Sequence, residues 1–354
     1  MKVISVVGAR PQFVKLAPID KALLSSGHTH VIVHTGQHYD PDMSDNFFAE
    51  LGISSPGVNL EVGSGSHASQ TATILNGLES IFLEQKADWV LVYGDTNSTL
   101  AASLAAVKIH QKLAHLEAGL RSFNRRMPEE HNRVLTDHAS DLLLAPTQEA
   151  MNHLSKEGLI DKAVLVGDVM VDVCLDTLKS SKSDVLNELG VEKGKYILAT
   201  IHRPDNTDTV ERLSEILNLL DQLGHMVLLA AHPRLRSKMQ EFGIQPSFKN
   251  ITFVAPLGYP DLVVALSNAL AAVTDSGGLQ KEAFLVKTPC VTLRTETEWI
   301  ETVELGVNLV ANNPSLSEIS QFISMASEKS WPIQMPYGDG NAADLVVKSL
   351  TEFS

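Results

Sequence analysis

Cysteine and positive charge are the two things this chain has least of. Among 354 residues there are 2 cysteines, and 28 Lys+Arg stand against 42 Asp+Glu, a formal net charge of −14 with His neutral. Cys174 and Cys290 cannot build a disulfide framework, so a reducing, cytoplasmic setting is expected. The acidic balance argues against a general binder of nucleic acid or of anionic membranes. It still admits an anionic small molecule, provided local cations and helix ends create a pocket. No apolar run reaches the ~18 residues that span a bilayer. The opening MKVISVVGAR turns polar too soon for a signal peptide and reads as a first buried strand. With 44% hydrophobic and 20% charged residues the composition is globular, which excludes a disordered or collagen-like chain.

What is present is a repeating grammar of short β-branched apolar run, polar loop and helical stretch. Val3–Val7, His30–His34, Trp89–Tyr93, Leu113–Leu116 and Leu142–Ala145 are the strands expected in the first half. Tyr196–Thr200, Met226–Ala230, Ile251–Val254, Ala271–Thr274 and Cys290–Leu293 continue the series. Near-continuous apolar runs of this length, spaced by helices such as Ser98–His110 and Val210–Leu223, indicate parallel strands covered on both faces. Ten strands are close to the limit for one open sheet, so two doubly wound α/β domains are expected. The join falls near Asp168–Asn187, giving domains over 1–168 and 169–339.

Ligands of open parallel sheets bind beyond the carboxyl ends of the strands, so the residues following each strand carry the functional reading. Gly8-Ala9-Arg10-Pro11-Gln12 opens a helix bearing Lys15, and both cations can meet phosphate beside the helix start. The pattern is not GxGxxG, which disfavours a dinucleotide site; Arg10 taken alone is equally a surface charge. Asp95 follows an apolar strand in Tyr93-Gly94-Asp95-Thr96-Asn97-Ser98-Thr99, and Glu117 follows another in His115-Leu116-Glu117-Ala118-Gly119-Leu120-Arg121. Glu129 and Glu130 open a helix, where acids also favour the dipole, so one of the two is open to a purely structural role. Three carboxylates near histidines suit proton abstraction and return. His202 and His232 follow successive strands of the second half. No HExxH or CxxC spacing appears, and no metal site is expected. The sharpest local signal is Thr274-Asp275-Ser276-Gly277-Gly278-Leu279-Gln280-Lys281-Glu282, a strand feeding a helix N-terminus through a Ser-Gly-Gly turn. Free N–H groups there can hold a diphosphate, and Glu282 one turn later can meet ribose hydroxyls.

In these motifs the sequence resembles the non-hydrolysing UDP-N-acetylglucosamine 2-epimerase family. GARPQFVKLAP, TGQHYD, YGDTNST, HLEAGLRS, MPEEHNR, HRPDN, HPR, TDSGGLQKEA and YGDGNAA occur in the family's order across nearly the whole chain. The resemblance implies the glycosyltransferase-B architecture, two Rossmann-like domains facing a central cleft, with a last helix (Ala342–Phe353, within 340–354) returning to the first domain. It implies reversible C2 epimerisation of a UDP-N-acetylhexosamine, UDP-GlcNAc to UDP-ManNAc, through UDP elimination and a 2-acetamidoglucal, in supply of cell-surface polysaccharide precursors. By the same resemblance Asp95, Glu117 and Glu129 are the acid/base set and His202 assists the departing diphosphate. Arg10 and Lys15 act near sugar and diphosphate, and Ser276, Gly277, Gly278 and Glu282 hold the nucleotide. It implies neither metal nor nicotinamide cofactor, a UDP-sugar as partner, no nucleic acid or membrane partner, and a homodimer.

The departures are informative. Thr297-Glu298-Trp299-Ile300 stands where many members carry Thr-Glu-Arg-Pro, and Arg294 is the substitute cation. Leu257, Tyr259 and Leu262 replace the usual Gln and Phe of the uracil region, so base recognition is expected from Leu257 backbone and an aromatic or apolar wall. Tyr39 and Asp40, and the absence of Arg from Gln70–Ser80, speak against a regulatory second UDP-sugar. SFNRRMPEE and TEWIETVE resemble archaeal-type enzymes and the branch acting on UDP-2,3-diacetamido-2,3-dideoxy-glucuronate, whose carboxylate Arg125 and Arg126 can meet. A glycosyltransferase, a hydrolysing 2-epimerase and a catalytically silent nucleotide-sugar sensor are the competing readings.

Overall fold

The structure is a computed structural model that describes residues 1–37, 52–181, 183–328 and 330–354. The chain divides into two compact units, one made of Met1–Val173 with Met335–Ser354 and the other of Cys174–Gln334.

Among the described residues the first unit is built on seven parallel strands: β1 (Lys2–Val7), β2 (Thr29–His34), β3 (Val58–Asn59), β4 (Trp89–Tyr93), β5 (Leu113–Leu116), β6 (Leu142–Ala145) and β7 (Ala163–Leu165), in the order β3-β2-β1-β4-β5-β6-β7. Its helices are α1 (Arg10–Ser25), α2 (His67–Gln85), α3 (Asn97–Lys108), α4 (Pro128–Ala139), α5 (Gln148–Lys156) and α6 (Val169–Ser180), which runs across the boundary. Side chains of β1 alternate between two cores, as a strand period of two requires. Val3 and Val7 pack with Leu16, Ile19 and Leu23 of α1, whereas Ile4 and Val6 pack with Ile74, Leu78 and Phe82 of α2 and with Ala101 and Ala105 of α3. Both faces are therefore apolar, which is why these strands read as unbroken hydrophobic runs.

The second unit repeats the plan with six parallel strands: β8 (Tyr196–Thr200), β9 (Met226–Ala230), β10 (Ile251–Val254), β11 (Ala271–Thr274), β12 (Cys290–Thr292) and β13 (Asn308–Val310), in the order β10-β9-β8-β11-β12-β13. Its helices are α7 (Val185–Glu188), α8 (Pro204–Thr207), α9 (Val210–Asp221), α10 (Pro233–Glu241), α11 (Tyr259–Ser267), α12 (Gly277–Leu285), α13 (Ile300–Glu304) and α14 (Leu316–Glu328). Leu213, Ile216, Leu217 and Leu220, spaced three and four apart on α9, cover Ile197, Val227 and Val273 of the sheet. Each sheet reverses strand order once, between β1 and β4 and between β8 and β11, and these crevices are where a doubly wound sheet binds ligands.

All ten expected strands form, and three more join them: β3, β7 and β13, each two or three residues long. The last helix, α15 (Ala342–Glu352), belongs to the first unit. Val346 and Leu350 are fully buried in the α1-side core, and the Trp89 indole N–H donates to the Leu350 carbonyl at 3.0 Å. Cys174 and Cys290 are free and buried. No helix among the described residues is long and apolar enough to cross a membrane, and no group of three or more His, Cys, Asp or Glu among them is arranged to hold a metal ion.

Candidate active site

In the first unit the chemistry gathers at the carboxyl ends of β1, β4 and β5. The β1 turn is tight because Gly8 sits against the Thr35 and Ser98 hydroxyls, where a Cβ would fall 2.1 and 2.3 Å from their oxygens. Gln12 ties this turn to the next: its Oε1 accepts from the N–H groups of Gly8 and Ala9 at 2.8 and 3.0 Å, and its Nε2 donates to the Tyr93 carbonyl at 2.7 Å. Asp95, 31% exposed, accepts a guanidinium hydrogen bond from Arg133 of α4 at 2.5 Å. Glu117 has the left-handed φ of +71° and forms an ion pair with Lys15 of α1. Its Oε2 lies 3.2 Å from where a Cβ on Gly94 would stand, so the carboxylate and the Asp95 turn are in close approach. Burial alone would lower the Lys15 pKa; the Glu117 carboxylate, with Asp168 and Asp95 nearby, outweighs it and raises the value, which keeps the ammonium charged.

The two neighbouring glutamates of α4 separate cleanly. Glu130 is buried and accepts from the N–H and hydroxyl of Ser122, from the N–H of Phe123 and from Arg133. Burial would raise its pKa, and these donors overcome that and lower it, so Glu130 is a fixed anion holding the loop before α4. Glu129 is exposed on the first turn, its carboxylate not consumed by that loop.

In the second unit the focus is Asp275, fully buried between β8 and β11. It accepts from the N–H groups of His202 and Arg203 at 3.0 and 2.9 Å, from Asn206 at 3.1 Å, and sits 3.1 Å from His202 Nδ1. Burial raises and these partners lower its pKa, with a net fall, so Asp275 stays ionised and fixes the His202 ring by Nδ1. That leaves Nε2 outside the Asp275 contact. The His232 ring stands 5.5 Å from that of His202, and its Nδ1 accepts from the Arg234 N–H to cap α10.

Ser276 caps α12, its hydroxyl accepting from the Leu279 N–H at 3.4 Å. The first-turn N–H groups of Gly277 and Gly278 lie outside the helical ladder by construction. Three charged groups converge on Gly277: a Cβ there would lie 3.6 Å from Glu298 Oε2 and 3.9 Å from both Arg203 Nη2 and Arg294 Nη1. Arg294 and Glu298 form a two-bond fork, 2.8 Å each. Trp299, at the family's Arg position, donates from its indole N–H to the Gly277 carbonyl at 2.7 Å and carries Lys281 Nζ 4.6 Å above its ring. Glu282 is buried; burial raises its pKa above the usual carboxyl range, against the lowering effect of Lys281 and of the Tyr259 hydroxyl. Leu257 lies two residues before Tyr259 in the loop that enters α11.

Of the residues expected from sequence, Lys15, Asp95, Glu117 and Glu129 thus lie in the first unit; His202, His232, Leu257, Tyr259, Ser276, Gly277, Gly278, Glu282 and Arg294 lie in the second. Arg10 is the first residue of α1 and its side chain lies outside the described part, as do Tyr39 and Asp40. Sequence reasoning gave no role of their own to Gln12, Arg133, Asp137 and Asp275, and used His115 only as a histidine near the carboxylates. Arg133 was signalled by its place four residues after Glu129 on one helix face, and Asp275 by directly following a buried strand.

Two Rossmann-type sheets in one chain, each with polar and charged turns at its switch point, define the glycosyltransferase-B class of architecture. The family model for UDP-N-acetylglucosamine 2-epimerase matches residues 21–351, and the chain belongs to that family. It is 45% identical over 356 residues to a UDP-N-acetylglucosamine 2-epimerase homolog of Methanococcus maripaludis, covering 99% of both chains. It is 44% identical over 317 residues to UDP-2,3-diacetamido-2,3-dideoxy-D-glucuronate 2-epimerase of Pseudomonas aeruginosa, covering 88% of each. Among solved structures it resembles Methanocaldococcus jannaschii UDP-GlcNAc 2-epimerase in complex with UDP-GlcNAc and UDP, with a TM-score of 0.83 and 39% identity over 99% of this chain and 100% of that one.

Proposed function

We propose that the protein catalyses reversible C2 epimerisation of UDP-GlcNAc to UDP-ManNAc. The observation that carries this reading is the pair Asp95 and Glu117, two carboxylates at the ends of adjacent strands, each set against its own cation. A base from the set Asp95, Glu117 and Glu129 removes the C2 proton, and the C2–H electrons form the C1=C2 bond. The C1–O bond breaks with its electrons leaving on UDP. A second acid of the set returns a proton to the opposite face of C2, and the UDP oxygen re-adds to C1. Charge growing on the leaving diphosphate is met by His202 Nε2, Arg10 and the Ser276-Gly277-Gly278 helix end with Arg294. Glu282, Tyr259, Leu257 and His232 serve the nucleoside side. The relative bound to UDP-GlcNAc and UDP supports this substrate. We read the working form as a cytoplasmic homodimer, which sedimentation and fractionation check.

The test is NMR of UDP-GlcNAc incubated with enzyme in D₂O. Deuterium at C2 of UDP-ManNAc is expected, and product without exchange refutes the mechanism. Asp95→Asn and Glu117→Gln should each lower kcat by about 10²–10⁴; near-normal turnover removes that residue from the set. A second reading, the UDP-diacetamido-uronate as substrate, rests on the Pseudomonas aeruginosa relative and on the exposed Arg125 and Arg126. The ratio of kcat/KM for the two UDP-sugars decides between them.

A further inference from the structure

Behind the first unit's carboxylates lies a second, sealed pair that the reaction does not touch. His115 of β5 and Asp137 of α4 have fully buried side chains, with Nδ1 2.6 Å from Asp137 Oδ1. Burying such a pair stabilises a fold little compared with apolar side chains of the same size, so the informative question is what its remaining bonds hold.

They hold the two catalytic turns. His115 Nε2 lies 2.7 Å from the carbonyl oxygen of Gly94, an acceptor only, so Nε2 carries the proton and donates. That carbonyl is the peptide group leading into Asp95. Asp137 Oδ2 accepts from the N–H of Gly119, two residues past Glu117, at 3.0 Å and from the Arg121 guanidinium at 2.7 Å. The carbonyl on the other side of Asp95 is also held from α4, by Asn132 Nδ2 at 2.9 Å.

We infer that His115 and Asp137 form a positioning device in which His115 Nε2 anchors the Asp95 turn and Asp137 anchors the Glu117 turn to helix α4, and that these two anchors set the placement of the two carboxylates. It rests on the acid/base reading given above. Gly94, with φ +60°, and Glu117, with φ +71°, are both left-handed, so each turn departs from regular backbone and gains from an external anchor. The anchor acts on backbone and makes no demand on substrate binding. Misplacing a reacting group by about 1 Å can lower the rate about 10²-fold.

Two variants of similar size separate positioning from packing. In His115→Gln the amide nitrogen sits where Nε2 was and still donates to the Gly94 carbonyl; the bond to Asp137 is given up, while Asp137 keeps the Gly119 N–H. In His115→Asn the amide nitrogen sits where Nδ1 was, keeping Asp137 and abandoning Gly94. With UDP-GlcNAc as substrate, the Gln variant is expected to retain kcat within about fivefold and the Asn variant to lose about 10²-fold, both with KM within about threefold. UDP affinity by calorimetry should be unchanged in both. Equal loss of kcat in the two, loss that follows melting temperature, or an undiminished Asn variant overturns the inference. Should either fail to fold, Asp137→Asn substitutes: reduced kcat at unchanged UDP affinity supports the device, and unchanged kcat overturns it. If Asp95→Asn and Glu117→Gln remain active, the acid/base reading fails instead. If those two are inactive while His115→Asn is normal, the positioning role alone fails.

Discussion

Glu282 is at odds with its own surroundings. Burial raises its pKa, so ionising it in the folded protein costs more than in the unfolded chain. The sign follows: the penalty is fully present above the folded value and disappears below the ordinary glutamate range. Glu282→Gln is therefore expected to melt higher than the parent at pH 8, with the advantage shrinking as pH falls through the carboxyl range. If the carboxylate serves ribose hydroxyls, the same variant binds UDP more weakly. Thermal denaturation across pH with calorimetric titration of UDP reads both, and equal melting temperatures at pH 8 would sink the first half. Asp275 shows the opposite arrangement, its donors outnumbering the loss of water, which is why one buried carboxylate anchors His202 while the other stays strained.

Helix α12 is built so that its first turn can be approached closely. Gly277 has no positive φ to defend and no atom within 3.6 Å of a would-be Cβ, so its bareness is not required by packing. Gly277→Ala should leave stability unchanged or raise it by about 0.5 kcal/mol. It should weaken UDP binding by about tenfold, or roughly 1.4 kcal/mol, through a methyl placed among Arg203, Arg294 and Glu298. Calorimetry measures it, and undiminished affinity would detach the diphosphate from this helix end. Elements of this kind were legible in sequence because buried parallel strands are unbroken apolar runs and the turns of the candidate site follow them directly. Strands β3, β7 and β13 were not: they are two or three residues long, and partial exposure interrupts their pattern. Asp95 and Glu117 stood out by position. His115 and Asp137 did not, because their meeting needs β5 and α4 already packed, a relation between residues 22 apart that no local period encodes.

At the scale of the molecule, each unit owns a core, and the two cores answer to different mutations. Leu350→Ala removes a fully buried side chain from the core shared by α1 and α15. A loss of about 2–5 kcal/mol is expected in the stability of the first unit. UDP affinity, assigned to the second unit, should hold. Denaturation followed at Trp89 together with UDP titration checks both outcomes, and a fall in affinity equal to the fall in stability would show the units to be one cooperative block. The acidic excess is likewise not uniform in meaning. Glu130, Asp137 and Asp275 are anions locked by donors, while Asp95, Glu117 and Glu129 are the carboxylates that the proposed mechanism uses.

The return of α15 to the first unit has a consequence for how the protein is made. The Trp89 indole waits for a carbonyl 261 residues further along the chain, and everything that builds the second unit is translated in between. The second unit is continuous in sequence and can complete itself as it leaves the ribosome. The first, begun earlier, keeps the part of its α1-side core that α15 seals incomplete until α15 emerges, so the half synthesised first is the half finished last. In the interval the apolar area that α15 will cover is a surface for chaperones, or for another unfinished copy of the same chain.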